Sequence, residues 1–392
     1  PLTFFNNFFS IWYNNYIMIS WYERKGFISK IKDVYFKRFN IKKFWVNLKI
    51  NKIDNDLKRL VDSYLISDSL KFSSKYWDKL NIHTLDQINN LGIEKFHTSV
   101  SNSYFTWKSI NDDFIKGLFN FFDKHQLANI DPKNLLTKHN GFTITQSINY
   151  NLITILLYQY LLKNNQLEKL EILEKNDFMI DNCPRLKINK LTITEDKLHS
   201  LIEFNQIGKI IKEDNLKLNY LEIGAGSGRT TETVIRLDKR VDKYIIADIP
   251  PALYINFLRI KHSFNNLKVK MCVDIESTKE LEKSIDENDI LFIFPHQLKY
   301  FKDKFFDISI AIDCLHEMKK KIIKKYMEIF NKKSKFLYFK VLEETYVPYD
   351  YKNHLNANNE KDYYINTTWK QIYKEKCICP SNYMELAYET KS

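Results

Sequence analysis

Glycine is scarce in this chain. Eight occur in 392 residues, about 2% against a norm near 7%. Proline is as rare, also eight. Together these counts exclude a collagen-like chain and a Pro/Gly-rich disordered one. Cysteine is rarer still. Five, an odd number with no framework spacing, exclude a disulfide-stapled scaffold and lead us to expect a reducing, cytoplasmic compartment. No apolar run reaches the roughly 18 residues a spanning helix needs, so none is expected. Neither G-x-x-x-x-G-K-S/T nor G-x-S-x-G occurs, which speaks against a P-loop nucleotidase and a serine hydrolase. The first residue is Pro1 rather than Met, so the start of the gene product is expected to lie upstream. The first 22 residues lack a charged leader and a small-residue cleavage site, so no signal peptide is expected.

What is present fits a folded protein of about two to three domains. Net charge is +12, and most of it is local. Residues 23–60 hold twelve basic side chains and four acidic ones. The remaining body is close to neutral, which argues against a nucleic-acid partner. Aromatics interleave with these cations, and Phe4, Phe8, Trp12, Tyr16 and Ile19 recur at helical spacing upstream. The plain reading is a pair of amphipathic helices with a solvated cationic face. The sharper one is peripheral contact with an anionic membrane or an anionic glycan intermediate.

Residues 70–180 read as mostly helical. In QSINYNLITILLYQYLLKNNQLEKLEIL, residues Ile148, Leu152, Leu156, Tyr160 and Leu161 form one stripe, and Asn149, Asn151 and Gln159 interrupt it. That favours a packed core helix over a membrane element. A further helix is predicted to start near Thr194, with acids in its first turn. Beyond it, strands and helices alternate: strands at 218–224, 243–249, 290–295, 306–315 and 336–344, helices from Arg229, at 252–264 and at 319–332. Continuous apolar strands between helices predict a parallel sheet covered on both faces. NYMELAYE (382–389) alternates, as an antiparallel edge strand would.

Three of the eight glycines, Gly224, Gly226 and Gly228, fall within five residues, in Leu221-Glu222-Ile223-Gly224-Ala225-Gly226-Ser227-Gly228. The segment ends a strand and opens a helix. Glycines there let a ligand approach the backbone, and the helix start offers free N–H groups. The dinucleotide fingerprint is G-x-G-x-x-G, whereas here the third glycine comes one residue early. Glu222 precedes the first glycine by two and can meet a cationic amino group, which S-adenosylmethionine carries and NAD lacks. Asp248 closes the next strand, roughly 20 residues on, where an acid suits ribose hydroxyls.

LEIGAGSGRTTE followed by YIIADIPPALY resembles the sugar O-methyltransferases, class I enzymes that use S-adenosylmethionine. SSKYWDKL (73–80), LGIEKF (91–96), SNSYFTW (101–107), NCPRL (182–186), FIFPHQL (292–298), CLHEM (314–318) and TWKQIYKEKC (368–377) resemble further blocks of that family. The likeness spans residues 70–390 and leaves 1–69 outside. After Phe339-Lys340 the family's aromatic-rich stretch is replaced by Val341-Leu342-Glu343-Glu344. The resemblance implies an α/β fold, a Rossmann-like doubly wound sheet of the class I methyltransferase type with an N-terminal mostly helical domain. The expected organisation is a basic, aromatic extension (1–69), a helical domain (70–184) and the methyltransferase domain (185–392), with the helical part beside the cofactor cleft.

The implied activity is methylation of a sugar hydroxyl on a glycan, glycolipid or nucleotide sugar. Expected cofactor contacts are Glu222, Gly224, Ala225, Gly226, Gly228, Asp248, Ile249, Pro295, His296 and Asp313. His316 is the candidate general base, with Glu317 orienting it or the sugar; the competing reading makes His316 a structural strand-end residue. Neutral imidazole suits proton removal near pH 7. Asp248-Ile249-Pro250-Pro251 resembles an amino-methyltransferase motif but stands on the wrong strand. Cys377-x-Cys379 lacks partners for zinc, and no metal is expected. Two rivals stay open: an NAD-dependent sugar oxidoreductase, and a non-catalytic S-adenosylmethionine-binding partner in glycan assembly.

Overall fold

The computed structural model describes residues 40–73, 75–95, 112–122, 130–174, 184–345, 358–359 and 363–390. The aromatic N-terminal stretch, the cations before residue 40, and the SNSYFTW block lie outside the described residues, as do Asn182 and Cys183 of NCPRL.

The chain opens with α1 (Ile41–Asn47), α2 (Asn55–Ile66), a 3-10 turn (Asp68–Phe72) and α3 (Lys75–Leu91). Asp54 caps α2 by accepting from the Leu57 amide at 2.8 Å, which satisfies one of the helix's free donors. The cations Lys42, Lys43, Lys49, Lys52, Lys58 and Arg59 are exposed, while Ile41, Trp45, Leu57, Leu60 and Val61 are buried. This segment is therefore amphipathic in the plain sense, with its apolar side committed to a core.

Next come α4 (Asp112–Phe121), α5 (Pro132–Leu135), α6 (Ile144–Lys163) and α7 (Leu167–Glu174). Thr143 and Gln146 form a reciprocal capping box at the start of α6. α6 is buried nearly all round, polar residues included. Asn151 donates to the carbonyls of Leu135 and Thr137 at 2.9 and 2.7 Å and meets His139 Nε2 at 2.6 Å. Asn151, which breaks the apolar run, is thus an internal anchor, as a buried amide must be. No helix among the described residues is long and apolar enough to cross a membrane.

A short hairpin of β1 (Leu186–Ile188) and β2 (Leu191–Ile193) leads into α8 (Glu195–Ile207). Thr194 caps α8 through the Lys197 amide, at the residue the sequence predicts. Then follow β3 (Leu218–Ile223), α9 (Arg229–Leu237), β4 (Val241–Ala247), α10 (Ala252–Ser263), β5 (Val269–Met271), α11 (Thr278–Glu287), β6 (Ile290–Ile293), β7 (Phe306–Ile312), α12 (Lys320–Lys333) and β8 (Ser334–Leu342). β9 (Glu344–Thr345) and β10 (Asn358–Asn359) pair with each other, and β11 (Lys370–Lys376) and β12 (Tyr383–Glu389) end the fold.

The main sheet runs β11-β12-β8-β7-β3-β4-β6-β5. Strands β5, β6, β4, β3, β7 and β8 are parallel, and β12 enters antiparallel to β8. One expectation is corrected here. NYMELAYE is antiparallel but interior, because β11 covers its far side. The edge is β11, whose KQIYKEK carries the lysines and glutamate that discourage edge pairing. β5 and α11 have no counterpart in the sequence reading; a three-residue strand is too short for its alternation to stand out.

Two apolar layers flank the sheet. One joins Tyr220, Tyr244, Ile246, Ile308 and Ile310 to α9 and α10, and it also contains Leu57, Leu60, Tyr64, Leu85 and Ile88 of α2 and α3. The other joins Leu221, Ile245, Leu291 and Phe339 to α12 and Phe72. A third core gathers α4, α6 and α7 with α8 and the β1–β2 hairpin. The expected boundary at 69/70 therefore falls inside a packed unit, and the helical region splits into two groups, one on the sheet and one on α8 and the β1–β2 hairpin. Truncating Leu60 to Ala is expected to cost about 2–5 kcal/mol, read from denaturant unfolding. Calorimetry should find a chain cut at 69/70 melting well below the full one, since the cut strips part of the sheet's own core.

Candidate active site

Ligands of open α/β sheets bind beyond the carboxyl ends of the strands. β3 ends there in the glycine loop. Gly224, Gly226 and Gly228 all have left-handed backbones, with φ of 65°, 56° and 82°, a conformation that costs other residues strain. Space is short as well. A Cβ on Gly224 would lie 2.7 Å from Cys314 Cβ, and one on Gly228 would lie 2.2 Å from Asn256 Oδ1. Gly224, Ala225 and Gly226 are partly exposed, whereas Gly228 is buried against α10. The third glycine thus serves helix packing, and the first two form the open lip.

Asp248 closes the lip from the tip of β4. Its Oδ2 accepts from the Gly226 amide at 3.0 Å and its Oδ1 from the Ile249 amide at 2.7 Å. Burial pushes the carboxyl up to about 6, against the pull of those two bonds. Each oxygen keeps acceptor capacity for a further donor. Ile249 is partly exposed beside it.

Glu222 is buried in β3, and its Oε2 accepts from Thr231 Oγ1 at 2.6 Å and Tyr244 hydroxyl at 2.7 Å. Burial pushes it up to about 7, with those bonds opposing. That oxygen clamps β3 to α9 and β4.

Beyond β6, Pro295 is buried and His296 is partly exposed. His296 Nδ1 lies 2.8 Å from Ser69 Oγ, and its amide donates to the same oxygen at 3.2 Å. Burial, then the charge on Lys299, lowers the imidazole pKa.

Beyond β7, Asp313 sits at φ 55°, left-handed for a residue other than glycine. Its amide continues the ladder to the Lys340 carbonyl at 3.0 Å. Its Oδ2 lies 3.5 Å from Arg229 and 3.8 Å from Lys340, and its Oδ1 is buried with no hydrogen-bond partner. Burial, reinforced by Glu203, outweighs the pull of Lys340 and Arg229 and raises its pKa. The cations are held by Glu203 of α8. Arg229 reaches both of its oxygens, at 2.5 and 3.0 Å, and Lys340 Nζ reaches one at 2.8 Å. Burial alone would raise Glu203; the two cations reverse that and hold it below the ordinary range. Sequence reading assigns no task to Glu203, Arg229 or Lys340. The signals were there: a basic residue directly after the third glycine, a lysine inside the apolar strand FLYFKVL, and acids at 195 and 203 on one helical face.

His316 lies in the 3-10 turn Leu315–Glu317 and is buried. The Leu342 amide donates to its Nδ1 at 3.4 Å, and its ring stands edge-on to Tyr383. Burial, then Lys340, pushes its pKa down to about 3. Such an imidazole is neutral but a poor proton acceptor, since Brønsted behaviour favours a base with a pKa near the working pH. Glu317 beside it is partly exposed.

No family model matches the chain. Among curated proteins it is similar to the hybrid PKS-NRPS synthetase iccA of Talaromyces variabilis, 28% identical over 155 residues. The match takes 38% of this chain and spans about 3% of that protein's length. Solved structures with a likeness include the PH0226 protein of Pyrococcus horikoshii OT3, at 13% identity and TM-score 0.32, covering 49% of this chain and 91% of that one. Mitomycin 7-O-methyltransferase MmcR is 10% identical with TM-score 0.32, covering 50% of this chain and 55% of its own. The fold is read from the sheet itself, where an antiparallel strand follows a doubly wound parallel set. It is Rossmann-like.

The buried His316 supplies a pH test. Its folded pKa is below the unfolded value of 6.5, so the folded state binds fewer protons between the two. Its contribution is present above about pH 6.5 and is lost as pH falls toward 3. His316→Gln is expected to flatten that part of the acid-side fall in Tm, measured from pH 7 to 3.

Proposed function

We propose that this chain is an S-adenosylmethionine-dependent O-methyltransferase acting on a sugar hydroxyl of a glycan, glycolipid or nucleotide sugar. The observation that carries the reading is the lip: a left-handed glycine pair whose Gly226 amide is held by the strand-end Asp248. The residues fit such a cofactor. Asp248 keeps lone pairs for ribose hydroxyls, and the partly exposed Gly224–Gly226 backbone leaves room for close approach. When bound, S-adenosylmethionine supplies an electrophilic methyl group on a sulfonium sulfur. The sugar class rests on the sequence resemblance, and a cytoplasmic location on the sparse, unframed cysteines.

Asp313 takes the place that sequence reading gives to His316. Its unpartnered Oδ1 at the tip of β7 is the oxygen that would take the proton of an acceptor hydroxyl. Arg229 and Lys340 hold the other oxygen and stabilise the carboxylate before transfer. Positioning is the larger contribution, since orientation can supply roughly 7–11 kcal/mol; a general base adds about 10²–10⁴-fold. His316 and Tyr383 back the turn that follows Asp313.

Titration with S-adenosylhomocysteine, with NADH as control, tests the cofactor. Micromolar binding of the first alone is expected, and binding of NADH instead would return the oxidoreductase rival. Gly226→Val is expected to abolish that binding, because a β-branched residue is excluded at φ 56°. Asp313→Asn should retain cofactor affinity and lose at least tenfold in turnover, assayed by radiolabelled methyl transfer to glycans from the source cell. Unchanged turnover would remove the base from Asp313.

A further inference from the structure

Residues 54–73 lie largely outside the part of the chain that resembles the methyltransferases, yet they cross the same edge of the sheet. Asp54 accepts from the Tyr254 hydroxyl of α10 at 2.7 Å. Ser63 Oγ lies 3.3 Å from Asp274, just beyond β5. Ser69 holds His296, just beyond β6, by ring and amide. Phe72 packs on Tyr326 of α12 with ring centroids 5.4 Å apart, and Lys325 lies 3.8 Å over the Phe72 ring. One continuous strap therefore runs from the helix on one face of the sheet to the helix on the other. It passes the strand ends on the Asp248 side of the glycine loop.

Tyr64 is the polar residue on the inner side of this strap. Its side chain is fully buried, with the ring edge-on to Phe294 at 5.7 Å. Its hydroxyl is buried and has no hydrogen-bond partner. Buried hydroxyls are normally paired, because an unpaired one loses its bonds to water for nothing in return. The neighbouring Ser73 hydroxyl donates to Asp78 at 2.9 Å. Burial raises the phenol pKa, the neighbouring Ser73 hydroxyl opposes that, and the charges on Asp78 and Asp248 add to it.

We propose that residues 54–73 complete the nucleoside end of the cofactor site, and that the Tyr64 hydroxyl donates a hydrogen bond to the bound nucleoside. This rests on the cofactor reading above and adds a wall and a donor from a segment that the resemblance does not reach. Ser69 is a positioning residue, holding the strap to His296. The strap's other anchors are the Asp54–Tyr254 bond and the Phe72–Tyr326 contact.

The test titrates the full chain and its Tyr64→Phe variant with S-adenosylhomocysteine and with 5′-methylthioadenosine, which keeps the nucleoside and lacks the amino-acid end. Tyr64→Phe should weaken both by about three- to tenfold. The melting temperature without ligand should stay level or rise, because the variant removes an unpaired buried hydroxyl. Ser69→Ala, which leaves Tyr64 intact, should hasten release of both ligands in stopped flow. Equal affinities for wild type and Tyr64→Phe would overturn the donor. A loss confined to S-adenosylhomocysteine would place Tyr64 at the amino-acid end and overturn the assignment. If the wild type binds neither ligand, the cofactor reading itself falls, and this inference with it.

Discussion

A buried carboxylate, Glu203, joins the parts of the site that the chain delivers separately. It accepts from Arg229 at the start of α9, from Thr230 beside it and from Lys340 in β8. Through those cations it fixes Asp313 at the tip of β7. The helix that carries Glu203 precedes the sheet and belongs to a different apolar core. Removing one member of such a buried set costs about 3–5 kcal/mol, because the remaining charges stay desolvated and unpaired. The glycine loop is therefore held from below by electrostatics and from the side by Asp248.

Desolvation also sorts the acids and bases of the site. Asp248 and Glu222 are both pushed up by burial, yet they differ in what their oxygens face. Those of Asp248 meet backbone amides at the lip, while Oε2 of Glu222 meets a threonine and a tyrosine inside the sheet. His316 loses basicity for the same reason that Asp313 gains it: burial disfavours the charged form of each. One constraint, the cost of burying charge, thus weakens the histidine as a base and strengthens the aspartate.

The helical regions illustrate a limit of periodicity. A stripe on α6 identifies a buried helix, but buried helices present apolar residues all round, so the stripe does not say which neighbour it meets. α6 packs on α8 and the β1–β2 hairpin, while α2 and α3 pack on the sheet. Amphipathicity was legible in the cation-rich segment; its docking across the strand ends was not, since Asp54, Ser63 and Ser69 find partners some 200 residues away.

The sequence by itself determined the alternation of strands and helices, the turn at Gly224–Gly228, the acid at the end of β4 and the start of α8 at Thr194. Each is local: an apolar run, a backbone conformation open to glycine, a capping side chain. Tertiary structure alone decided that β12 lies inside the sheet, because an edge is defined by a missing neighbour and not by a strand's own residues. It decided equally that Glu222 bonds Thr231 and Tyr244, that Lys340 neutralises Glu203, and that Tyr64 is buried against Phe294. Those outcomes depend on which groups share a dry volume, and that is fixed only when distant segments pack together.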